Sequence, residues 1–327
     1  MKRCLSTLKP LDEEGFSPAA RRRLADRRAF PARVDFTRAD LIEIRTRTVD
    51  RMSISGVQEK VSLRLERGKL TPVAEGGQYI LKPAPSQTLP RFEQDVPANE
   101  HLTMQLAEQL CGIDTAANAC IRLADGALAY IARRFDRTPE GSRIAQEDFC
   151  QLMNKSPQTA GKHYKYDSSY QQLAESLRQY CPAYAVESEK LFRRIVFNYL
   201  VANGDAHLKN FSIYQLEEFG DYVLTPAYDL LSTKLHLPND TRLALRLFAG
   251  DEYPEGVETH GFCTGSDFIE LGTRMGLSDQ RATTIVEELC GRRDEMAELV
   301  ERSFLSEEAK QQYHDILADR RKALEIR

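Results

Sequence analysis

A chain of 327 residues, 42% hydrophobic and 29% charged, is long enough to bury two sizeable cores and has the composition of a globular protein. No window approaches eighteen uncharged apolar residues, and the basic N-terminus runs into Pro10-Leu11-Asp12-Glu13-Glu14 without an apolar signal core, so a cytoplasmic protein with no membrane span is expected. Residues 1–51 carry 13 Lys/Arg against 8 Asp/Glu while the whole chain has a net charge of −4, so the remaining body is acidic, which argues against wholesale coating of nucleic acid.

The first fifty residues hold Arg21-Arg22-Arg23 and Arg27-Arg28 with few large apolar residues before Phe30, which reads as a solvated helix face or mobile arm rather than a phosphate-binding patch. Seven scattered cysteines, an odd number with no C-x-x-C pair, argue against a disulfide framework or zinc site. Ser53-Ile54-Ser55-Gly56-Val57-Gln58-Glu59-Lys60 comes next. Its single glycine fits a plain turn as well as a loop cradling phosphates.

Val61, Leu63 and Leu65 alternate with Ser62 and Arg64, Gly68 marks a turn, Leu70 to Ala74 follows, and Gln78 to Leu81 closes the set after Gly76-Gly77. Three short antiparallel strands are expected, with Lys82 at the end of the third, placed either to reach nucleotide phosphates or as an exposed edge lysine. A helix is expected from about Asn99, with Leu102, Leu106 and Leu110 on one stripe. Glu100 opens it, either as a partner for Lys82 or as an acid favouring the helix N-terminus. Ala127 to Ala132 reads as a further strand leading into Arg133-Arg134-Phe135-Asp136-Arg137.

The pattern then turns helical. Lys155 to Tyr166 is polar and reads as a loop, at the substrate or merely solvated; Ser168 to Tyr180 and Ser188 to Ala202 are amphipathic helices. Thr233 to Phe262 is loop-rich, and helices resume at Ser266 to Met275, Ser278 to Arg292 and Ser306 to Ala323.

The second helix delivers Asn203-Gly204-Asp205-Ala206-His207-Leu208-Lys209-Asn210. An Asp followed five residues later by an Asn, with a cation between, is the spacing at which protein kinases place a catalytic base and a metal ligand. Asp205 and Asn210 have that spacing, and a hairpin (Phe211 to Gln215, Tyr222 to Thr225) would bring back Asp229 as a second metal ligand. His207 and Lys209 stand where they could brace Asp205 or the γ-phosphate, with a structural hydrogen bond an equal reading for His207.

Five blocks in one order carry a family resemblance: Ser53 to Lys60, Tyr79-Ile80-Leu81-Lys82-Pro83, Arg134 to Arg137, Asn203 to Tyr214, and Pro226 to Ser232. Together they resemble the HipA-like serine/threonine kinases of bacterial toxin–antitoxin systems. The resemblance implies a two-lobed, protein-kinase-like α+β fold. Residues 1–135 would form a mixed N-terminal lobe with an antiparallel sheet, and residues 136–327 a mainly helical C-terminal lobe.

It also implies ATP and Mg2+. ATP would contact Ser55, Gly56, Val57, Gln58, Glu59, Lys60, Lys82, the hinge Arg133, Arg134 and Phe135, and His207, Lys209, Asn210 and Tyr228. Asn210 and Asp229 would hold the metal, Asp205 would be the catalytic residue, and Ser53 and Ser55 would be autophosphorylated.

The biology implied is that of a growth-arresting toxin that phosphorylates an aminoacyl-tRNA synthetase and is restrained by antitoxins of its own operon. Those partners are a HipB-like DNA-binding protein and a small HipS-like protein; DNA is met only through the antitoxin, and no membrane is involved. Longer family members carry an extra sub-domain ahead of the phosphate loop, whereas 52 residues precede Ser53 here, so the chain is similar to the short HipT-type branch, associated with tryptophanyl-tRNA synthetase. Two other classes stand beside this one. They are a small-molecule kinase of the aminoglycoside-phosphotransferase kind, against which the Ser53-Ile54-Ser55-Gly56 block speaks, and a nucleic-acid-binding regulator with decayed kinase motifs.

Overall fold

A computed structural model describes residues 2–41, 43, 59–138, 141–216 and 220–327. Ser53, Ser55, Gly56, Val57 and Gln58 therefore lie outside the described residues.

Five strands, β1 (Val61–Glu66), β2 (Lys69–Pro72), β3 (Tyr79–Pro83), β4 (Asn118–Arg122) and β5 (Leu128–Arg133), form an antiparallel sheet in the order β2-β1-β3-β5-β4. The β1–β2 turn is tight because Arg67 and Gly68 both take positive φ, 50° and 78°, the pair a two-residue hairpin of matching twist requires. β3 is an inner strand, paired to β1 on one side and β5 on the other. Lys82 is thus not an edge lysine. Side chains alternate along a strand, so Tyr79 and Leu81 enter one core while Lys82, next to Leu81, faces the other way.

That core contains the N-terminal segment, which corrects the expectation of a mobile arm. Leu5, Leu24, Phe30 and Val34 are buried against Leu63, Leu81 and Ile131. The helix Pro18–Ala25 starts with Pro18 behind an N-cap Ser17 and presents Ala20 and Leu24 inward, while Arg21, Arg22 and Arg23 stay exposed. Backbone hydrogen bonds from Cys120 to Leu5, Val34 to Arg122 and Ala124 to Phe36 run along β4, so the segment also protects a sheet edge.

On the opposite face lies the helix Val96–Leu110, which begins three residues earlier than Asn99 with Pro97 in its first turn. Glu100 therefore sits one turn inside the helix, not at its start. A second antiparallel sheet, β6 (Gln146–Asp148), β7 (Ser212–Gln215) and β8 (Tyr222–Leu224), is ordered β6-β7-β8.

Helices follow. Tyr170–Tyr180 opens with a capping box of Ser169 and Gln172, and Tyr184–Leu200 begins four residues before Ser188 and buries Leu191, Ile195, Val196 and Leu200. Asp279–Gly291 and Glu307–Glu325 pack against it, Gly265–Arg274 lies on those two, and Arg293–Glu301 joins Glu307–Glu325 to the helix Val96–Leu110, all in a second, larger core. All seven cysteines are buried free thiols. Among the described residues no helix is long and apolar enough to cross a membrane.

Candidate active site

The helix Tyr184–Leu200 is capped by Val201, and Ala202, with φ of 53°, turns the chain sharply into Asn203. Asn203 is buried and ties the turn together: its amide donates to Asn198 Oδ1 at 2.8 Å, its Oδ1 accepts from the Asp205 backbone, and its Nδ2 reaches the Asp229 carbonyl at 3.5 Å. Gly204 donates its N–H to Thr233 Oγ1 at 2.7 Å, and a Cβ there would lie 2.6 Å from the Thr241 carbonyl, so the close approach requires glycine. A short turn of 3-10 helix over Leu208–Asn210 follows, with Asn210 Oδ1 accepting from the His207 N–H at 3.2 Å.

Asp229 arrives from the other direction. Thr115 and Ala227 form a parallel bridge that fastens its segment beside β4, and Asp229 itself has φ of 53°, a left-handed turn conformation that aspartate tolerates better than most side chains. Asn210 Nδ2 lies 3.5 Å from Asp229 Oδ2, and Lys60 Nζ is also 3.5 Å from that oxygen. Lys82 Nζ donates to Asp229 Oδ1 and to Glu100 Oε1. Glu100 is 1% exposed, so it serves as the buried partner of Lys82, and the reading as a helix-terminal acid falls away.

The electrostatics follow from this packing. Burial alone would push the Lys82 ammonium down, but Asp229 and Glu100 hold it above its ordinary range. Burial raises the Glu100 carboxyl, and Lys82 offsets this only in part. Burial also acts to raise Asp229, yet the charges of Lys82 and Lys60 outweigh it and hold the carboxyl well below the usual range.

Around the loop, the expected residues divide. Asp205 is half-exposed, and one carboxylate oxygen accepts from Tyr166 Oη. His207 is buried with Nε2 3.9 Å from the same oxygen, and burial lowers its imidazole to about 4, so it is neutral near pH 7. Lys209 does not brace Asp205: it pairs with Asp148 at 2.9 Å, a carboxylate at the end of β6. Tyr228 is half-buried, donating to the Lys209 carbonyl at 2.9 Å, and its ring lies 5.6 Å from that of Phe135. Phe135 thus borders the site.

Arg133 turns outward to Asp26 at 2.7 Å, while Arg134 forks onto Asp136. The backbone N–H groups of Arg133 and Arg134 donate to Ala117 and Gln78 carbonyls, so neither is free for a ligand. Glu59 is buried and accepts from Ser86 Oγ at 2.8 Å. Asn203 stands in the loop as expected, Tyr166 places the end of the polar segment 155–166 at the site rather than in solvent, and Thr233 joins without having been expected there. Asn203 opens the loop motif, but the partners of the other two are fixed only in three dimensions.

No cluster of three or more His, Cys, Asp or Glu side chains able to hold a metal occurs among the described residues. Magnesium bound through phosphates needs only one or two protein oxygens, and the pair Asn210 and Asp229 fits that donor set, with the Lys82 and Lys60 ammoniums standing where a cation's charge is wanted.

A lysine on an inner strand paired to a helical glutamate, facing an Asp-x-x-x-x-Asn loop and a downstream aspartate, defines a protein-kinase-like architecture. Residues 52–297 match the HipA-like C-terminal domain, and the chain belongs to that family.

A putative kinase of Haemophilus influenzae is 30% identical over 325 residues, covering 93% of this chain and 92% of that protein. The putative kinase Y4mE of Sinorhizobium fredii is 33% identical over 72% of this chain and 55% of its own length, and the serine/threonine-protein kinase toxin HipA of Shewanella oneidensis 28% over 70% and 54%. The chain therefore spans nearly all of the first and about half of the other two.

Among solved structures, the Shewanella oneidensis HipA, HipB and operator DNA complex aligns with a TM-score of 0.65, 22% identity, over 89% of this chain and 71% of that one. The Helicobacter pylori proinflammatory kinase CtkA aligns at 0.52, 14% identity, over 80% and 90%. Both likenesses are likenesses of fold.

Proposed function

We propose that the chain is an ATP-dependent serine/threonine protein kinase, the toxin of a bacterial toxin–antitoxin system, divided into an N-terminal lobe (1–135) and a helical C-terminal lobe (136–327). The observation that carries this reading is the ion-paired Lys82, held between Glu100 and Asp229 beside the Asp205–Asn210 loop. Lys82 and the Ser55–Lys60 loop would hold the nucleotide phosphates. Asn210 and Asp229 would hold a magnesium ion, whose chemistry is to bridge and neutralise those phosphates. Asp205 orients the acceptor serine hydroxyl and takes up its proton, and positioning with charge neutralisation supplies most of the rate.

The match to nearly the full length of the Haemophilus influenzae protein, rather than to the half-length seen with HipA, supports placing the chain in the short HipT-type branch. Tryptophanyl-tRNA synthetase is then the substrate, with growth arrest as the outcome. The Shewanella oneidensis HipA complex contains HipB and operator DNA, which supports a HipB-like antitoxin here and contact with DNA through it. A HipS-like protein is the second partner. Autophosphorylation of Ser53 or Ser55 would regulate the enzyme.

Incubation of the purified protein with γ-labelled ATP and a cytoplasmic extract tests the reading. Label in a single protein band that is identified as a synthetase is the expected result. Label only in small molecules would instead place the chain with the aminoglycoside-phosphotransferase-like kinases.

A further inference from the structure

We infer that Tyr166 is a positioning residue for Asp205, fixing one carboxylate oxygen so that the other faces the acceptor hydroxyl. The inference rests on the assignment of Asp205 as the catalytic base. Tyr166 Oη donates to Asp205 Oδ1; among the described residues no donor reaches Oδ2, and His207 Nε2, at 3.9 Å from Oδ1, is beyond hydrogen-bonding range. Asp205 lies on a turn with its side chain half in solvent, and its backbone N–H is anchored by Asn203. Two free torsions would otherwise let the carboxylate wander, and a base must be held close to its attack geometry to act.

Tyr166 is itself held. Its ring meets the His207 ring edge-on at 5.2 Å, and Lys165 Nζ lies 4.9 Å from the ring centroid. The residue ends a turn over Tyr164–Tyr166 in a segment whose two ends are clamped by Lys155 and Asp167 at 2.6 Å. Four residues on, Tyr170 Oη donates to the Ala206 carbonyl at 3.1 Å from within the core. Two tyrosines of one stretch thus secure consecutive residues of the loop, one by its side chain and the next by its backbone.

The polar segment 155–166 is accordingly a brace for the loop. Burial and Asp205 raise the Tyr166 phenol, so it remains a protonated donor throughout the physiological range.

The test is Tyr166→Phe, which removes the hydroxyl and keeps the ring. The substrate is purified tryptophanyl-tRNA synthetase or, if that is not labelled, the band the wild type labels in a cytoplasmic extract. At saturating ATP the initial rate should fall about tenfold or more, the scale of one hydrogen bond to a charged group. KM for ATP should stay unchanged, because the hydroxyl removed bonds Asp205 and none of Lys60, Lys82, Asn210 or Asp229.

An unchanged rate overturns the inference. So does a raised rate, which would mean the hydroxyl stands in the acceptor's place, and so does phosphotyrosine at 166, which would make it an acceptor. If the variant melts early and loses ATP binding, Asp167→Ala removes the acceptor of Lys155 and opens the clamp instead, and a rate equal to wild type there also overturns the inference. Asp205→Asn measured alongside separates the two levels: activity in that variant removes the functional reading. Its inactivity beside a fully active Tyr166→Phe removes only the role of Tyr166.

Discussion

Lys82 and Asp229, 147 residues apart in the chain, meet in an ion pair, and Glu100 occupies another side of the same ammonium. Lys82 is 5% exposed and Glu100 1%, so this is a buried network in which each charge depends on the others. Under the proposed function, nucleotide phosphates would compete with the aspartate for this lysine.

Lys82→Ala should be costly to the fold as well as to nucleotide binding. Without the ammonium Glu100 is an uncompensated buried carboxyl, a change worth about 3–5 kcal/mol of destabilisation. Lys82→Ala/Glu100→Gln should regain much of that stability in urea unfolding while nucleotide affinity stays low. A double variant no more stable than the single would show that Glu100 is not the source of the loss.

For Asp229→Asn the expected loss is magnesium-dependent. Nucleotide titrated without magnesium should bind the variant about as well as wild type, and the gap should open when magnesium is added. The variant should also change the acid limb of stability. Because the folded carboxyl is held below its ordinary 3.8, its contribution is present above that pH and lost as pH falls towards the depressed value. Unfolding curves of the variant should therefore be flatter than wild type below about pH 4. Identical slopes would mean the pairing with Lys82 and Lys60 gives no net stability.

Asp205→Asn should abolish phosphoryl transfer at a cost to stability of less than about 1 kcal/mol, since the side chain is half-exposed and supports no core packing. Growth inhibition on expression should disappear with the activity. Labelling of the target at near the wild-type rate would show that another group accepts the proton.

Ser53 and Ser55 should be found phosphorylated by intact-mass analysis after incubation with MgATP, and unmodified in Asp205→Asn. A phosphate brings about −1.5 to −2 charge at pH 7 into a loop proposed to hold the nucleotide's own phosphates, so it competes for Lys60 and Lys82 and lowers ATP affinity. Equal mass for the two proteins after prolonged incubation counts against self-modification.

Alternation and turn residues make β1 to β3 legible in the sequence, and apolar periodicity does the same for the helices Tyr170–Tyr180 and Tyr184–Leu200. The hairpin that returns Asp229 to Asn210 is readable because a strand, a turn and a strand separate them, all local features. The N-terminal segment misleads as a sequence because Leu5, Leu24, Phe30 and Val34 follow no single period, and the sheet they cover lies far along the chain. β4 escapes notice because Asn118 to Ile121 are all buried, which erases the alternation that marks a half-exposed strand.

In the candidate site the spacing of Asp205, Asn210 and Asp229 was set by the sequence alone, since it resides in one loop and one hairpin. What the tertiary structure decided was partnership. Glu100 faces Lys82 because the helix Val96–Leu110 packs across β3, Lys209 turns to Asp148 because β6 pairs with β7, and Tyr166 meets Asp205 because the segment before Tyr170 folds back onto the loop. A side chain's type is written in the chain, but which opposite charge or donor stands within about 3 Å of it depends on how distant elements pack, and no local pattern carries that information.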